Sequence, residues 1–278
     1  MSDKNIKLIA FDLDDTLFNS KKEITPANIN ALERAASMGI EIVPTTGRFW
    51  GIVPEKLKNL DFIHYAITLN GAEIFDVKQN KPIAKSEIPF ERAALMSRVF
   101  DEIPGIAYDC IINSQGYMRR DFYESAKDFA VGEWQYIMIK TSRKTVDDFS
   151  EFLLTQKMDV QKMLIFTLDN DLRLELLRSL PAVFPHNLFT TSVPNNIEIN
   201  DLSANKGDAL KFLAEYLRHD INSIMAIGDG INDISMIKAA GVGIAMQNAC
   251  QEALNIADYI TSSCDDDGVA KGIQKFCF

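Results

Sequence analysis

Two patterns of apolar and polar positions share this chain. Toward both ends, short apolar runs stop at polar, glycine-bearing stretches and give way to helical periodicity. Ile6–Phe11 is such a run, and its length and polar borders predict a buried strand. Thr25-Pro26 opens the next element, with Thr25 as cap and Pro26 at the first helical position. Ile29, Leu32, Ala35 and Ala36 supply a helical stripe, and Gly39 ends it. Ile40–Val43 predicts a second strand, which runs into Thr45-Thr46-Gly47-Arg48 and an irregular helix broken at Pro54. Tyr65–Leu69 predicts a third, Asn70-Gly71 a hairpin turn and Ala72–Phe75 the return. This β-α-β-α-β order predicts a parallel sheet.

Between about Ile83 and Asn200 the alternation changes. Helical patterns cover Phe90–Glu102, Phe122–Ala130, Val146–Leu154 and Leu172–Leu180. Strand patterns cover Ile106–Ile112, Gly116–Arg119, Met163–Leu168, Leu188–Ser192 and Ile197–Ile199. That mixture predicts an α+β domain inserted into the first one. From Asn205 the first pattern resumes: helix Gly207–Leu217, strand Ser223–Ile227, a helix ending at Ala240, strand Val242–Ala245, helix Asn248–Ala257, strand Tyr259–Ile260 and helix Gly268–Phe276. The expected fold class is α/β, with one domain formed by residues 1–82 and 201–278 and the insert by 83–200.

Composition narrows the function. The chain has 278 residues, enough for two domains, with 47% hydrophobic and 24% charged positions, which suits a soluble globular protein. Its net charge of −10 disfavours nucleic acid and anionic membranes as partners. It also means that a phosphorylated substrate has to be met by local cations. Cys110, Cys250, Cys264 and Cys277 are scattered without metal-ligand spacing, as free thiols in a reducing compartment would be. Met1–Lys7 is polar, and no apolar run approaches the roughly 20 residues of a membrane span. A cytoplasmic protein is expected; the oligomeric state is not legible.

The candidate chemistry lies where strands end. Asp12, Asp14 and Asp15 follow the first strand, the place where open α/β sheets bind ligands. Extended backbone points Asp12 and Asp14 to one side and Asp15 away. Carboxylates so close repel, and a divalent cation with oxygen ligands is one remedy, although aspartates also cap helices and start turns. Thr46 and Gly47 offer a hydroxyl and free N–H groups at an anion-binding corner, or a simple N-cap. Lys206 stands at a helix N-terminus, unfavourable unless an anion faces it, or else lies solvated on the surface. Gly228-Asp229-Gly230-Ile231-Asn232-Asp233 suits a metal site or a capped helix start. Asp265-Asp266-Asp267-Gly268 fails as an EF-hand, because the register that puts Gly268 sixth places Gln274, not Glu, twelfth; it reads as a loop and helix cap.

Together and in this order, Asp12-Leu13-Asp14-Asp15-Thr16, Thr46, Lys206 and Asp229 with Asp233 resemble the four motifs of the haloacid dehalogenase-like (HAD) hydrolase superfamily. The position and size of the insert, Asn70-Gly71-Ala72, Gly243–Ala249 and Asp267-Gly268-Val269-Ala270 resemble its Cof-like, type IIB phosphatase subfamily. Asp15 departs from that pattern, which has Gly there. The resemblance implies a Rossmann-like core and an inserted cap. It implies Asp12 as nucleophile and Asp14 as acid and base. It implies Mg2+ held by the Asp12 carboxylate, the Asp14 carbonyl and Asp229, with Asp233 supporting. Thr46, Lys206, the N–H groups of Leu13 and Gly47, and Asn232 would hold the phosphoryl group. Four carboxylates and a dianionic phosphate outnumber the charge of Mg2+ and Lys206, so amide dipoles must offset the rest.

The implied function is a Mg2+-dependent phosphatase acting on a small phosphorylated metabolite, such as a sugar phosphate or a nucleotide-like cofactor, through an aspartyl-phosphate. The alternatives are a phosphomutase of the same superfamily and a non-catalytic phosphometabolite-binding protein. Tyr108, Tyr117, Arg119, Arg120 and Trp134 are candidate readers of the leaving group, with Trp134 the one most expected in the core of the insert. His64, His186 and His219 have no partner motif and read as structural or surface residues.

Overall fold

The computed structural model describes residues 5–278. The chain divides into two compact units, one running up to Lys85 together with Asn205–Phe278, the other Ser86–Ala204. In the first unit the leading strands are β1 (Leu8–Phe11), β2 (Glu41–Pro44), β3 (Tyr65–Thr68), β4 (Glu73–Asp76) and β5 (Lys81–Lys85). The second unit contributes β6 (Ala107–Ile112), β7 (Gln115–Arg119), β8 (Arg143–Val146), β9 (Lys162–Phe166), β10 (Asn187–Thr190) and β11 (Asn196–Asp201). The first unit then closes with β12 (Ile224–Gly228), β13 (Val242–Ala245) and β14 (Tyr259–Ile260).

The first unit is built on a parallel sheet of order β14-β13-β12-β1-β2. Every residue of β1 is buried, because both faces are covered. Ile9 and Phe11 pack with helices Pro26–Ser37 and Gly268–Cys277, while Leu8 and Ala10 pack with helix Lys206–Tyr216. Phe11 is level with Pro44 on one side and Ile227 on the other. The chain therefore leaves β1, β2 and β12 at one edge, and β1 and β12 flank the point where strand order reverses. Such switch points open a crevice at the carboxyl ends of the strands.

The third strand departs from the expected parallel ladder. β3 pairs antiparallel with β4 in a separate sheet β3-β4-β5 and meets β2 through a single parallel bridge, Thr45 to Ile67. β5 went unread because Lys81-Pro82-Ile83-Ala84-Lys85 carries proline and two lysines, the composition of an exposed edge strand.

The second unit has one six-stranded sheet, β10-β11-β9-β6-β7-β8, antiparallel except between β7 and β8. Tyr108, Cys110, Met163, Ile165, Ile197 and Ile199 line its apolar face, against helices Phe90–Asp101, Phe149–Gln156 and Asn170–Val183. Two helical expectations are corrected here. Arg143–Val146 is strand β8, and the following helix starts at Phe149, where Asp148 accepts the Glu151 N–H at 2.7 Å. The stretch expected as helix Phe122–Ala130 is two short turns, Arg120–Glu124 and Ala126–Asp128. A longer helix, Gly132–Ser142, follows unpredicted; it buries only Gln135 and Ile139, too narrow a stripe to show as periodicity.

Candidate active site

The stretch after β1 forms a tight turn rather than a helix. The Asp12 N–H bonds to the Ile227 carbonyl at 3.0 Å, and the Phe18 N–H closes onto the Leu13 carbonyl at 2.8 Å. Leu13, Thr16 and Leu17 are buried and anchor the turn. Asp15 adopts φ 58°, a left-handed conformation that glycine takes freely and that aspartate tolerates better than most residues. The departure from glycine at this position thus keeps the backbone and adds a carboxylate. Asn248 holds the turn from outside, its amide donating to the Asp15 carbonyl at 2.8 Å.

Asp12 faces a lysine brought from the far end of the chain. Asn205 caps helix Lys206–Tyr216 by accepting the Asp208 N–H at 2.8 Å, which sets Lys206 at the first helical position. Lys206 is fully buried, and its ammonium donates to Asp12 Oδ1 and Asp233 Oδ1, both at 2.6 Å. The other Asp233 oxygen accepts the N–H groups of Asp229 (2.9 Å) and Gly230 (2.8 Å). Glycine is required at 228, since a β-carbon there would lie 2.5 Å from the Asp233 side chain. Asp229 Oδ1 accepts the Thr16 hydroxyl at 2.6 Å.

One oxygen from each of Asp12, Asp229 and Asp233 lies within 4.8 Å of the others. Burial pushes the Asp12 carboxyl well above the ordinary range; Lys206 pulls it back, and Asp233, Asp229 and Asp14 push it up again. Burial and Asp233 push Asp229 up to about 7, against the Thr16 hydrogen bond and Lys206. Burial also opposes the charge on Lys206, but the two carboxylates outweigh it and hold the ammonium protonated. The cluster therefore has more negative charge than its lysine can balance. Its donors are hard oxygens, which fit a hard cation such as Mg2+. Asp12 and Asp229 have the oxygens to hold one. Asp233 already has both of its own engaged, by Lys206 and by two amides.

Asp14 lies apart from that cluster. Arg48 grips it through Nε (2.8 Å) and Nη2 (2.7 Å), and the Lys22 ammonium stands 3.6 Å away. Burial opposes its ionisation, but Arg48 and then Lys22 prevail and hold its pKa below the ordinary range. The loop carrying Arg48 is stitched to the β3–β4 turn. Thr46, almost fully buried, accepts the Arg48 N–H on its hydroxyl at 3.1 Å, and its own N–H bonds to the Ile67 carbonyl at 2.8 Å. Gly47 is half-buried between them. Asn70 donates its N–H to the Thr46 carbonyl at 3.0 Å and accepts the Asn232 amide on its side chain at 3.1 Å. Gly71, at φ 98°, comes so near the Asn205 carbonyl that a β-carbon would stand 2.4 Å from it. Asn70-Gly71 is thus both the expected hairpin turn and a brace between two loops of the site.

The structure brings Asp12, Lys206, Asp229 and Asp233 into direct contact, with Leu13 buried beside them. Thr46, Gly47 and Asn232 sit on loops joined through Asn70. Lys22 had no assigned role in the sequence, Thr16 and Asn248 stood only within longer motifs, and Arg48 too was read only as part of a motif. A cation beside the Thr46–Gly47 corner was the one available signal. The acidic run near the C-terminus proves to be a tie rather than a cap. Asp265 accepts the Ser20 N–H at 2.9 Å, and Asp267 accepts the Thr25 hydroxyl at 2.6 Å without capping the helix it precedes. His64 pairs with Glu41 at 3.0 Å and takes no part in the site.

The candidate readers in the second unit sort differently. Tyr108 is fully buried on the apolar face of the sheet and donates its hydroxyl to Asp101 at 2.6 Å. Tyr117 packs on Phe152 from the same face. Both belong to the core. Arg119 is held by Asp121 (2.7 Å) and Asp101, and Arg120 pairs with Asp147 at 2.7 Å. Trp134, expected in the core, is half exposed. The opposite sheet face carries buried charges that the sequence reading passed over: Arg143 with Asp109, and Lys162 with Glu198, each at 2.6 Å.

Residues 9–273 match the family model of the haloacid dehalogenase-like hydrolases. A Bacillus subtilis 5-amino-6-(5-phospho-D-ribitylamino)uracil phosphatase is 32% identical over 274 residues, covering 99% of this chain and 97% of the relative. A second B. subtilis phosphatase is 32% identical over 289 residues, covering 95% and 98%. Among solved structures, a haloacid dehalogenase-like hydrolase from B. subtilis superposes with a TM-score of 0.82 at 31% identity, covering 97% of this chain and 99% of that one. The chain belongs to the haloacid dehalogenase-like hydrolases, among the phosphatases of that family.

Proposed function

We propose that this phosphoric monoester hydrolase works through Asp12 as nucleophile and Asp14 as acid and base, with Mg2+, on a small phosphorylated metabolite. The observation that carries the reading is the separation of two carboxylates on one turn. Asp12 lies in the oxygen cluster with Lys206, whereas Asp14 lies outside it on Arg48. Carboxylates held in contrasting surroundings divide the roles of one reaction.

In the first step an Asp12 oxygen bonds to phosphorus, the ester P–O bond breaks, and the leaving oxygen takes a proton from Asp14. In the second, water attacks the aspartyl-phosphate, gives its proton to Asp14, and the bond from phosphorus to Asp12 breaks. Asp14 rests ionised on Arg48, so it must gain a proton as substrate enters; the negative phosphoryl group arriving beside it acts in that direction. Lys206 and the amide groups of Leu13 and Gly47 face the phosphoryl oxygens, with Thr46 and Asn232 completing the cradle. Asp12, Asp229 and the Asp14 carbonyl would hold Mg2+, which when bound would supply positive charge that favours ionised Asp12 and draws charge from phosphorus.

The second unit serves as a cap that selects the leaving group. The relative named for a phosphoribityl substrate supports a polyol-bearing phosphoester as the class. A screen of phosphate release over a metabolite panel, with and without Mg2+, tests the reading. Asp12→Asn should abolish acid-stable labelling from a phosphate-labelled substrate while leaving the circular dichroism spectrum intact. A folded variant that still labels removes Asp12 from the role.

A further inference from the structure

The turn that carries Asp14 meets a second turn for which the reaction above has no use. Residues 19–23 fold back on themselves. The Asn19 N–H bonds to the Glu23 carbonyl at 3.0 Å, the Lys22 N–H bonds to the Asn19 carbonyl at 2.8 Å, and the Asn19 side chain accepts the N–H groups of Lys21 and Glu23. From this turn the Lys22 ammonium reaches Asp15 at 2.9 Å and Asp14 at 3.6 Å. Asp15 has φ 58° and Lys22 has φ 59°. Both side chains are about half exposed, so as a stabilising contact the pair contributes little. Its effect is to hold an ammonium beside Asp14.

Asp14 is the group that must reach the ester oxygen, so a cation 3.6 Å from its carboxylate stands next to the first atoms of the leaving group. Arg48 is less suited to that place, because all three of its nitrogens are engaged, Nε and Nη2 by Asp14 and Nη1 by the Ile52 carbonyl at 3.5 Å. Lys22 has three donors, and Asp15 engages one of them. We propose that Lys22, positioned by Asp15, reads an oxygen on the carbon next to the phosphoester, which makes a monoester with a hydroxyl at that position the preferred substrate. The inference rests on the phosphatase reading with Asp14 as acid and base.

Ribitol 5-phosphate and 4-deoxyribitol 5-phosphate differ only in that hydroxyl. The full chain with Mg2+ is assayed for phosphate release from both, and from phenyl phosphate, which lacks a hydroxyl on the neighbouring carbon. The wild type is expected to favour ribitol 5-phosphate about tenfold in kcat/KM, the contribution of one hydrogen bond to a charged group. Lys22→Met should bring the ratio close to one, and Lys22→Arg should retain part of it. Asp15→Asn, which also tolerates left-handed backbone, should lower the ratio, and the double variant should add nothing to Lys22→Met. Equal rates of the wild type on the two polyol esters, or a tenfold preference surviving Lys22→Met, overturns the proposal and leaves the phosphatase reading standing. Release from none of the three esters overturns both.

Discussion

Each unit buries a set of charges, and the two sets differ in balance. On the second unit's sheet, Arg143 meets Asp109 and Lys162 meets Glu198, two cations for two anions. Glycine at 116 makes the first pair possible, since a β-carbon there would stand 2.2 Å from the Arg143 side chain. In the first unit, among the described residues, Lys206 is the one cation in ion-pair contact with Asp12 and Asp233, with Asp229 beside them. Burial pushes Asp109 up and Lys162 down, yet each has a partner to resist the push. Asp229 has only a hydroxyl and a shared lysine, and its pKa climbs to about 7. A set balanced in charge needs no further ion and holds structure, even though Asp109 Oδ1 is left without a hydrogen-bond partner. An unbalanced one must take up protons or a further cation, which is the part the proposed Mg2+ would play.

The sharpest way to break this contrast is to remove Lys206. Lys206→Ala should lower kcat by a factor on the order of a thousand, as loss of a charged group facing the reacting oxygens does. Chelation with EDTA should stop phosphate release altogether in the wild type. Full turnover in EDTA would remove Mg2+ from the account. Arg143→Met is the matching test on the balanced side. It strands Asp109 in the interior and should cost about 3–5 kcal/mol in denaturant unfolding. Replacing Arg143 and Asp109 together by apolar residues of similar volume should recover most of that loss, which no double replacement at Lys206 and Asp12 could do for activity.

A pH titration sharpens the comparison further. In the metal-free fold Asp229 keeps its proton up to about 7, while in the unfolded chain an aspartate releases it near 4. Between those values the folded state binds more protons, so stability falls as pH rises. The metal-free protein should melt a few degrees lower at pH 8 than at pH 5. Because metal and proton compete for the same oxygens, Mg2+ should raise the melting temperature more at pH 8 than at pH 5. A melting temperature that rises through this window without metal would contradict the imbalance on which the site is read.

What the sequence disclosed follows the same division. β1, β2, β12 and β13 were legible because strands covered on both faces are nearly continuous apolar runs. β11 was legible as Asn-Ile-Glu-Ile-Asn, but alternation of that kind predicts a solvated polar face, and its Asn196, Glu198 and Asn200 are buried. β8 was hidden because Arg143-Lys144-Thr145-Val146 has a single apolar residue, and its arginine is occupied by an aspartate on β6. In the site, Asp12, Asp229 and Asp233 could be picked out just past strand ends and Lys206 at a helix start, where a cation is conspicuous. Their supports were not. Arg48 reaches Asp14 across 34 positions and Thr16 reaches Asp229 across 213, distances over which no local pattern connects a donor with its acceptor.

Thr16 also provides the gentlest test. Its hydroxyl gives Asp229 the one side-chain hydrogen bond that this carboxylate receives among the described residues, and it does so from the same turn that carries Asp12 and Asp14. Thr16→Val keeps the shape and the β-branched fit of a fully buried residue while deleting the donor. The carboxylate then loses a group that both orients it and favours its ionised form. Affinity for Mg2+ should fall about tenfold by isothermal titration, the low end of what such supporting contacts contribute. The fall should be larger at pH 6 than at pH 8, because without the hydroxyl Asp229 holds its proton more tightly. Comparison with Arg143→Met completes the argument. That variant should lose stability and keep its Mg2+ affinity, whereas Thr16→Val should keep most of its stability and lose affinity, and a reversal of the two would place the unbalanced charge in the other unit.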